Sequence, residues 1–337
     1  VGRVDMTPMG PPDILTDWTA TPVWWAVMIV ATAAYLVGVA RCGRAGGAWP
    51  WSRTAAWSGA MALLVVTLNS SAATFAHHLF WMHMITHLLL IMVIPLLLVL
   101  AQPVRLAMES SGPVGAGRVR AVMTHRVTRF VTSPAFSVPV YAAVLVGTHL
   151  TGFQQAMSEH GWIHTSETAV YIVSGYLLLL PTIGGEFSGH DLSHPVRFVT
   201  LLIAMGPDTL VGIVLMLTDR PLAPAYGESR LGWGPDALAD QNIAGAIMWF
   251  GGDGLMMLLL VLVAGQWIRA ETHRKPGEAR RVSWLDRARQ EATLATGSQG
   301  DATGDSYDID GDDAALAAYN ARLAALHAAE GASRTRR

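Results

Sequence analysis

HHLFWMHMITHLLLIMVIPLLLVLAQP, residues 77–103, decides how this chain is read. From His83 to Ala101 it holds no Asp, Glu, Lys or Arg. A helix rises 1.5 Å per residue, so an apolar run of about 20 residues crosses the hydrocarbon core of a bilayer. At the mouth of that run stand His77, His78, His83 and His87, with Trp81, Met82 and Met84 among them. His83 and His87 are four apart and share one helix face. That spacing suits a metal held by two imidazoles, and it equally suits amphipathic anchoring at a membrane surface.

The rest of the chain carries the same signature. Its 337 residues are 52% hydrophobic and 14% charged, against about a quarter charged in a soluble domain. The composition predicts an all-α, polytopic membrane helix bundle. A net charge of -2 gives no reason to expect nucleic acid as a partner. Cys42 is the only cysteine, which excludes an intrachain disulfide or a thiolate cage and leaves His, Met or carboxylate as metal ligands. Residues 1–18 lack the basic flank and small-residue cleavage site of a secretory signal, so the first helix is expected to be retained, with Met6 and Met9 as alternative starts to Val1.

Seven apolar spans are predicted, near 23–40, 55–75, 83–101, 135–150, 162–181, 197–218 and 243–268. Fourteen Lys and Arg residues fall on one side of them, including Arg105, Arg118, Arg120, Arg126 and Arg129, and three on the other. The cytoplasmic side carries the excess, so the N-terminus is placed outside and the C-terminus inside. This gives an outer segment over 1–22, a seven-helix domain over 23–268 and a cytoplasmic tail over 269–337. In the tail, residues 277–295 read as a basic amphipathic helix on the lipid surface, 297–313 as an acidic Gly-rich linker and 312–330 as a short helix.

That orientation gathers His77, His78, His83, His87, His149, His160 and His164 on the outer face, seven of the twelve histidines. Scattered interfacial anchors would not prefer one face. His160 and His164 repeat the four-residue spacing, so a pair facing His83 and His87 would supply four nitrogens. His149 is a further ligand or a group that orients one, and Met84 adds a soft thioether beside His83. Glu167 continues the His160–His164 face one turn deeper. Asp208 and Asp253 fall about 15 Å into their spans, where an ionised carboxylate costs at least about 2.5 kcal/mol. Both are therefore expected to point into the bundle and to share a proton or a cation. Asp240 and Gln241 precede the last span, either closing the histidine site or starting a helix. The further pair His190 and His194 would suit a membrane di-iron enzyme, but it falls in an inner loop, where Gly189 and Pro195 argue against a shared helix. No nucleophile with an adjacent base appears at a readable spacing, so transfer is expected and not catalysis.

DILTDW (13–18), GGAWPWSR (46–53), HMITHLLLIMVIPLLLVLAQPVRL (83–106) and DQNIAGAIMWFGGD (240–253) resemble the multispan CtaG family of cytochrome c oxidase assembly factors. The family pattern in the third span is similar to His-Met-x-x-His-Met; His83, Met84 and His87 match it and Leu88 replaces the second methionine. The resemblance implies a multi-pass protein of the bacterial plasma membrane that delivers copper to a haem-copper oxidase. Its partners would be oxidase subunits, membrane lipid and a separate copper transporter, because the copper-transport-like domain often fused in actinobacteria is absent from these residues. A haem-binding electron carrier, using one histidine from each of two facing helices such as His87 and His149, is the alternative from another class.

Overall fold

A computed structural model of the chain describes residues 18–151, 153, 161–190, 192–228 and 232–273. The expectations for residues 1–17, for His160 and for the tail beyond His273 lie outside these. Among the described residues the secondary structure is helical, without strands. In chain order the helices are α1 (Pro22–Arg44), α2 (Trp51–Asn69), α3 (Ser71–Ala76), α4 (Phe80–Leu88), α5 (Ile94–Ala101), α6 (Pro103–Ser110) and α7 (Gly112–Thr124). They continue with α8 (Arg126–Val131), α9 (Pro134–His149), α10 (Gly161–Ile183), α11 (His194–Leu217), α12 (Ala225–Glu228), α13 (Ala237–Ala246) and α14 (Asp253–His273). Two wider π-helical turns, Leu89–Val93 and Ile247–Gly252, join α4 to α5 and α13 to α14.

Each of the seven predicted apolar spans coincides with helix. Five runs are long and apolar enough to cross a membrane: Pro22–Arg44, Phe80–Ser110, Ile163–Ile183, His194–Leu217 and Ala237–Thr272. The other two predictions fall on α2, with 19 residues, and α9, with 16. The second prediction joined two helices into one span. Ser70 breaks it, with extended backbone and a hydroxyl that accepts the Ala72 N–H to start α3.

The quoted stretch is the hub. α4 packs on α3 and α13, the first π-turn on α10, and α5 on α2 and α10. Pro95 explains the turn. It has no N–H to give the carbonyl four residues back, Ile91, and an undistorted helix would strand that acceptor. Instead Ile91 O sits against Gly175 of α10, where a Cβ would lie 1.7 Å from it. Only glycine admits that approach. α11 and α13 meet the same way, through Gly212 and Gly245: a Cβ on either would come within 2.9 Å of the other's carbonyl oxygen. Met84, Ile91, Met92, Ile94, Leu145, Leu178 and Leu201 fill the interior, while Val173, Ile203, Phe250 and Val261 point outward on the long helices, as a lipid-facing surface requires.

Candidate functional site

The site begins where α4 begins. Four N–H groups at a helix start have no partner within the helix. Here two of them, on Phe80 and Trp81, donate to the two carboxylate oxygens of Asp240 at 3.0 and 2.9 Å. Asp240 is fully buried in the first turn of α13. It therefore caps a helix 160 residues away in sequence, and its negative charge lies at the positive end of that helix. Gln241, beside it, serves another purpose: it accepts the Leu222 N–H at 2.7 Å and donates to the carbonyls of Leu215 and Arg220, tying down the turn after α11.

Below the cap, His83 and His87 share one face of α4 with ring centroids 6.0 Å apart. Phe80 and Tyr226 pack near His83, at 6.1 and 6.0 Å. His87 lies deeper. Its ring stands perpendicular to His149 of α9, 4.5 Å between centroids, and against Tyr171 of α10 at 3.7 Å. Tyr171 donates its hydroxyl to buried Glu167 at 2.6 Å. Glu167 is expected from the sequence; Tyr171 is not, and its place four residues further on the same apolar helix is the signal that points to it.

Hydrogen bonding fixes one tautomer. His149 Nδ1 lies 2.9 Å from both the Leu145 carbonyl and the Thr148 hydroxyl. The carbonyl can only accept and Thr148 has the Val144 carbonyl at 2.8 Å for its own hydrogen, so a hydrogen on Nδ1 suits both neighbours and leaves the lone pair on Nε2. That Nε2 is buried without a partner. Both ring nitrogens of His87 are also buried without a hydrogen bond. Two facing imidazoles thus present three nitrogens that nothing among the described residues satisfies.

A second pair stands apart from the first. His77 and His164 lie with ring centroids 4.9 Å apart on a cleft of about 220 Å³ lined also by Thr21, Thr67, Leu68 and Thr86. Burial pushes the His77 imidazole down to about 3, with His164 and His78 adding to the shift, so at neutral pH it is an uncharged lone-pair donor. The expected square of His83 and His87 facing His160 and His164 is divided: His164 meets His77, and His149 meets His87. His83 is within electrostatic range of both groups. His78 and Met84 are buried, Met84 entirely within the apolar core. Among the described residues, no three His, Cys, Asp or Glu side chains already stand as a metal cage.

The remaining acids and histidines lie elsewhere. Asp208 lies in α11 and Asp253 starts α14, within electrostatic range of each other. His190 bonds the Arg129 carbonyl at 2.7 Å from the loop before α11, and His194 is the first residue of that helix. The two are not on one helical face, and α8, to which His190 is bound, lies among the arginines.

A family described as cytochrome c oxidase caa3 assembly factor matches residues 33–270. The chain is 30% identical over 275 residues to an uncharacterized protein of Mycobacterium leprae, covering 78% of this chain and 42% of that one. Uncharacterized proteins of Mycobacterium bovis and Mycobacterium tuberculosis are each 30% identical over 266 residues, 77% of this chain and 40% of theirs. The chain thus spans about two fifths of the length of the curated relatives it matches. No solved structure matches it.

Proposed function

Because this chain belongs to the cytochrome c oxidase caa3 assembly factor family, we propose that it binds copper through its outer histidines and passes it to the oxidase during assembly. It would do so as a seven-span protein of the bacterial plasma membrane with its N-terminus outside. The observation that carries the reading is His87. An imidazole buried with neither nitrogen paired costs about 1–3 kcal/mol, and the fold sets it against the free Nε2 of His149. A metal ion would satisfy both rings at once. The Leu145 carbonyl fixes the His149 tautomer as a metal-ligand histidine needs.

Donor chemistry supports a transferable ion. Neutral imidazoles suit copper, zinc, iron and nickel alike; copper is preferred because the family's named client is a cytochrome c oxidase. Copper here is cargo. His77 and His164 line a cleft and form the approach, His83 bridges, and His87 with His149 forms the enclosed end. The role is that of a carrier working with oxidase subunits, in a lipid bilayer, fed by a copper transporter. The haem alternative meets a steric objection: the rings of His87 and His149 already touch, which leaves no room for a macrocycle between them.

The test is metal content and an optical spectrum on detergent-purified protein loaded with copper and desalted, comparing the parent with a His87→Ala, His149→Ala double variant. We expect near-stoichiometric copper in the parent, its loss in the variant and no haem band. Iron or a haem band in the parent overturns the proposal, and no metal in either protein makes this a scaffold for oxidase subunits.

A further inference from the structure

Asp208 of α11 and Asp253, the first residue of α14, are not used by the histidine site. Asp208 is fully buried, and its Oδ2 accepts the Tyr141 hydroxyl from α9 at 2.9 Å. Asp253 Oδ2 lies 2.7 Å from the Thr209 hydroxyl. Each carboxyl therefore has one oxygen served by a hydroxyl. The other oxygen of each, Oδ1, is buried and has no partner. The two groups are close enough to interact electrostatically. Nothing bulky stands between Asp208 and the second π-turn, because Gly252 faces it with a bare Cα; a Cβ there would lie 3.5 Å from the Asp208 carboxyl carbon.

Among the described residues neither acid has an ion-pair partner, and the pair Arg105–Glu109 is exposed on another helix. Of the elements packed on α11, α9 contributes Tyr141 and the second π-turn leads into Asp253; α10 and α13 contribute no recorded charged partner. Two ionised carboxylates in this setting, Asp208 fully buried and Asp253 half-buried, would repel each other and leave both buried Oδ1 atoms unsatisfied. One hydrogen between those oxygens removes one charge and satisfies both acceptors.

We propose that Asp208 and Asp253 share a single proton at neutral pH, directly or through one water, and so form a protonation site inside the bundle. Charge balances simply: two carboxylates and one proton give one acid–carboxylate pair of charge -1. The oxygen-only surroundings of carboxyl, phenol and hydroxyl suit a proton and do not suit soft copper. Thr209 serves the oxygen turned away from that proton. Its hydroxyl lies 2.7 Å from Asp253 Oδ2 and 3.1 Å from the Met205 carbonyl. When Asp253 holds the proton on Oδ1, Oδ2 is its carbonyl oxygen and accepts from Thr209, so removing that hydroxyl changes the C=O frequency.

Infrared difference spectroscopy of the purified full chain tests this. We expect a protonated-carboxyl C=O band at pH 7 that shifts in D2O, is lost in Asp208→Asn or Asp253→Asn, and moves in frequency in Thr209→Val. Absence of that band from the parent at pH 7 overturns the proposal, whether or not the variants fold. A band unchanged in both Asn variants assigns the proton to another acid and overturns it too. A sodium-dependent carboxylate shift without a protonated band makes the site a cation site instead.

Discussion

The two π-turns of the bundle have different causes and the same company. Leu89–Val93 begins two residues after His87, and Ile247–Gly252 ends immediately before Asp253. Wider turns of this kind recur at functional positions because they free backbone groups and re-aim side chains. Two residues after the first turn Pro95 removes a donor, and the carbonyl it strands, Ile91 O within the turn, is seated on Gly175. In α14 no proline follows the second turn. It is held from outside by Gly212, where a Cβ would meet Trp249 Cβ at 2.7 Å and Trp249 N at 2.9 Å. One turn is thus written into its own strand of sequence, and the other is imposed by a neighbouring helix. Both depend on a glycine that lets another backbone come close.

Gly175→Ala should have the largest effect. Its methyl would lie 1.7 Å from Ile91 O and 2.8 Å from Ile91 C, both backbone atoms that no rotamer change can clear. Overpacking of this kind costs about 1–3 kcal/mol and at times more, and we expect about 3 kcal/mol or greater in thermal or denaturant unfolding. α10 would have to move off the turn, taking His164, Glu167 and Tyr171 with it, so copper retention should fall as well. A variant that is as stable as the parent would show that the π-turn is not seated on α10. Gly212→Ala should cost less, about 1–3 kcal/mol, because its closest backbone contacts are near 2.9 Å. Its effect should appear first in the protonated-carboxyl band, with copper retained. Equal loss of copper in the two glycine variants would mean that the two turns are one mechanical unit.

The helices were legible because their period and length are local properties. Apolar runs bounded by Arg, Pro and Gly place α1, α9, α10 and α11 to within a few residues, and Asp208 is expected inside the bundle because lipid is costly for a carboxylate. The pairing of the histidines was not legible. Spacing fixes which residues share a face of one helix; it does not fix how deep that helix sits against the next. α10 lies so that His164 reaches His77, while Tyr171, two turns further along, lies against His87. Asp240 illustrates the same limit. It was expected at the outer end of the last span, either near the site or as a cap of its own helix, and it caps α4 instead. That bond depends on how α13 packs against α4, which no local pattern encodes.

Pro95→Ala should have the smallest effect, and it isolates the cause assigned to the first turn. A proline in the interior of an undistorted helix costs about 3 kcal/mol. If the π-turn has already relieved that conflict, alanine gains one backbone donor, worth about 0.5–1.5 kcal/mol. Against this it loses about 0.4–1 kcal/mol of restriction on the unfolded chain and the packing of the ring near Gly175, where a Cβ would meet Pro95 Cγ at 3.0 Å. The terms nearly cancel, so the unfolding free energy should change by less than about 1 kcal/mol, with copper retained. A gain near 3 kcal/mol would mean the turn leaves the proline strained. The wide turn below His87 would then be held as the second one is, by the neighbour that packs on it.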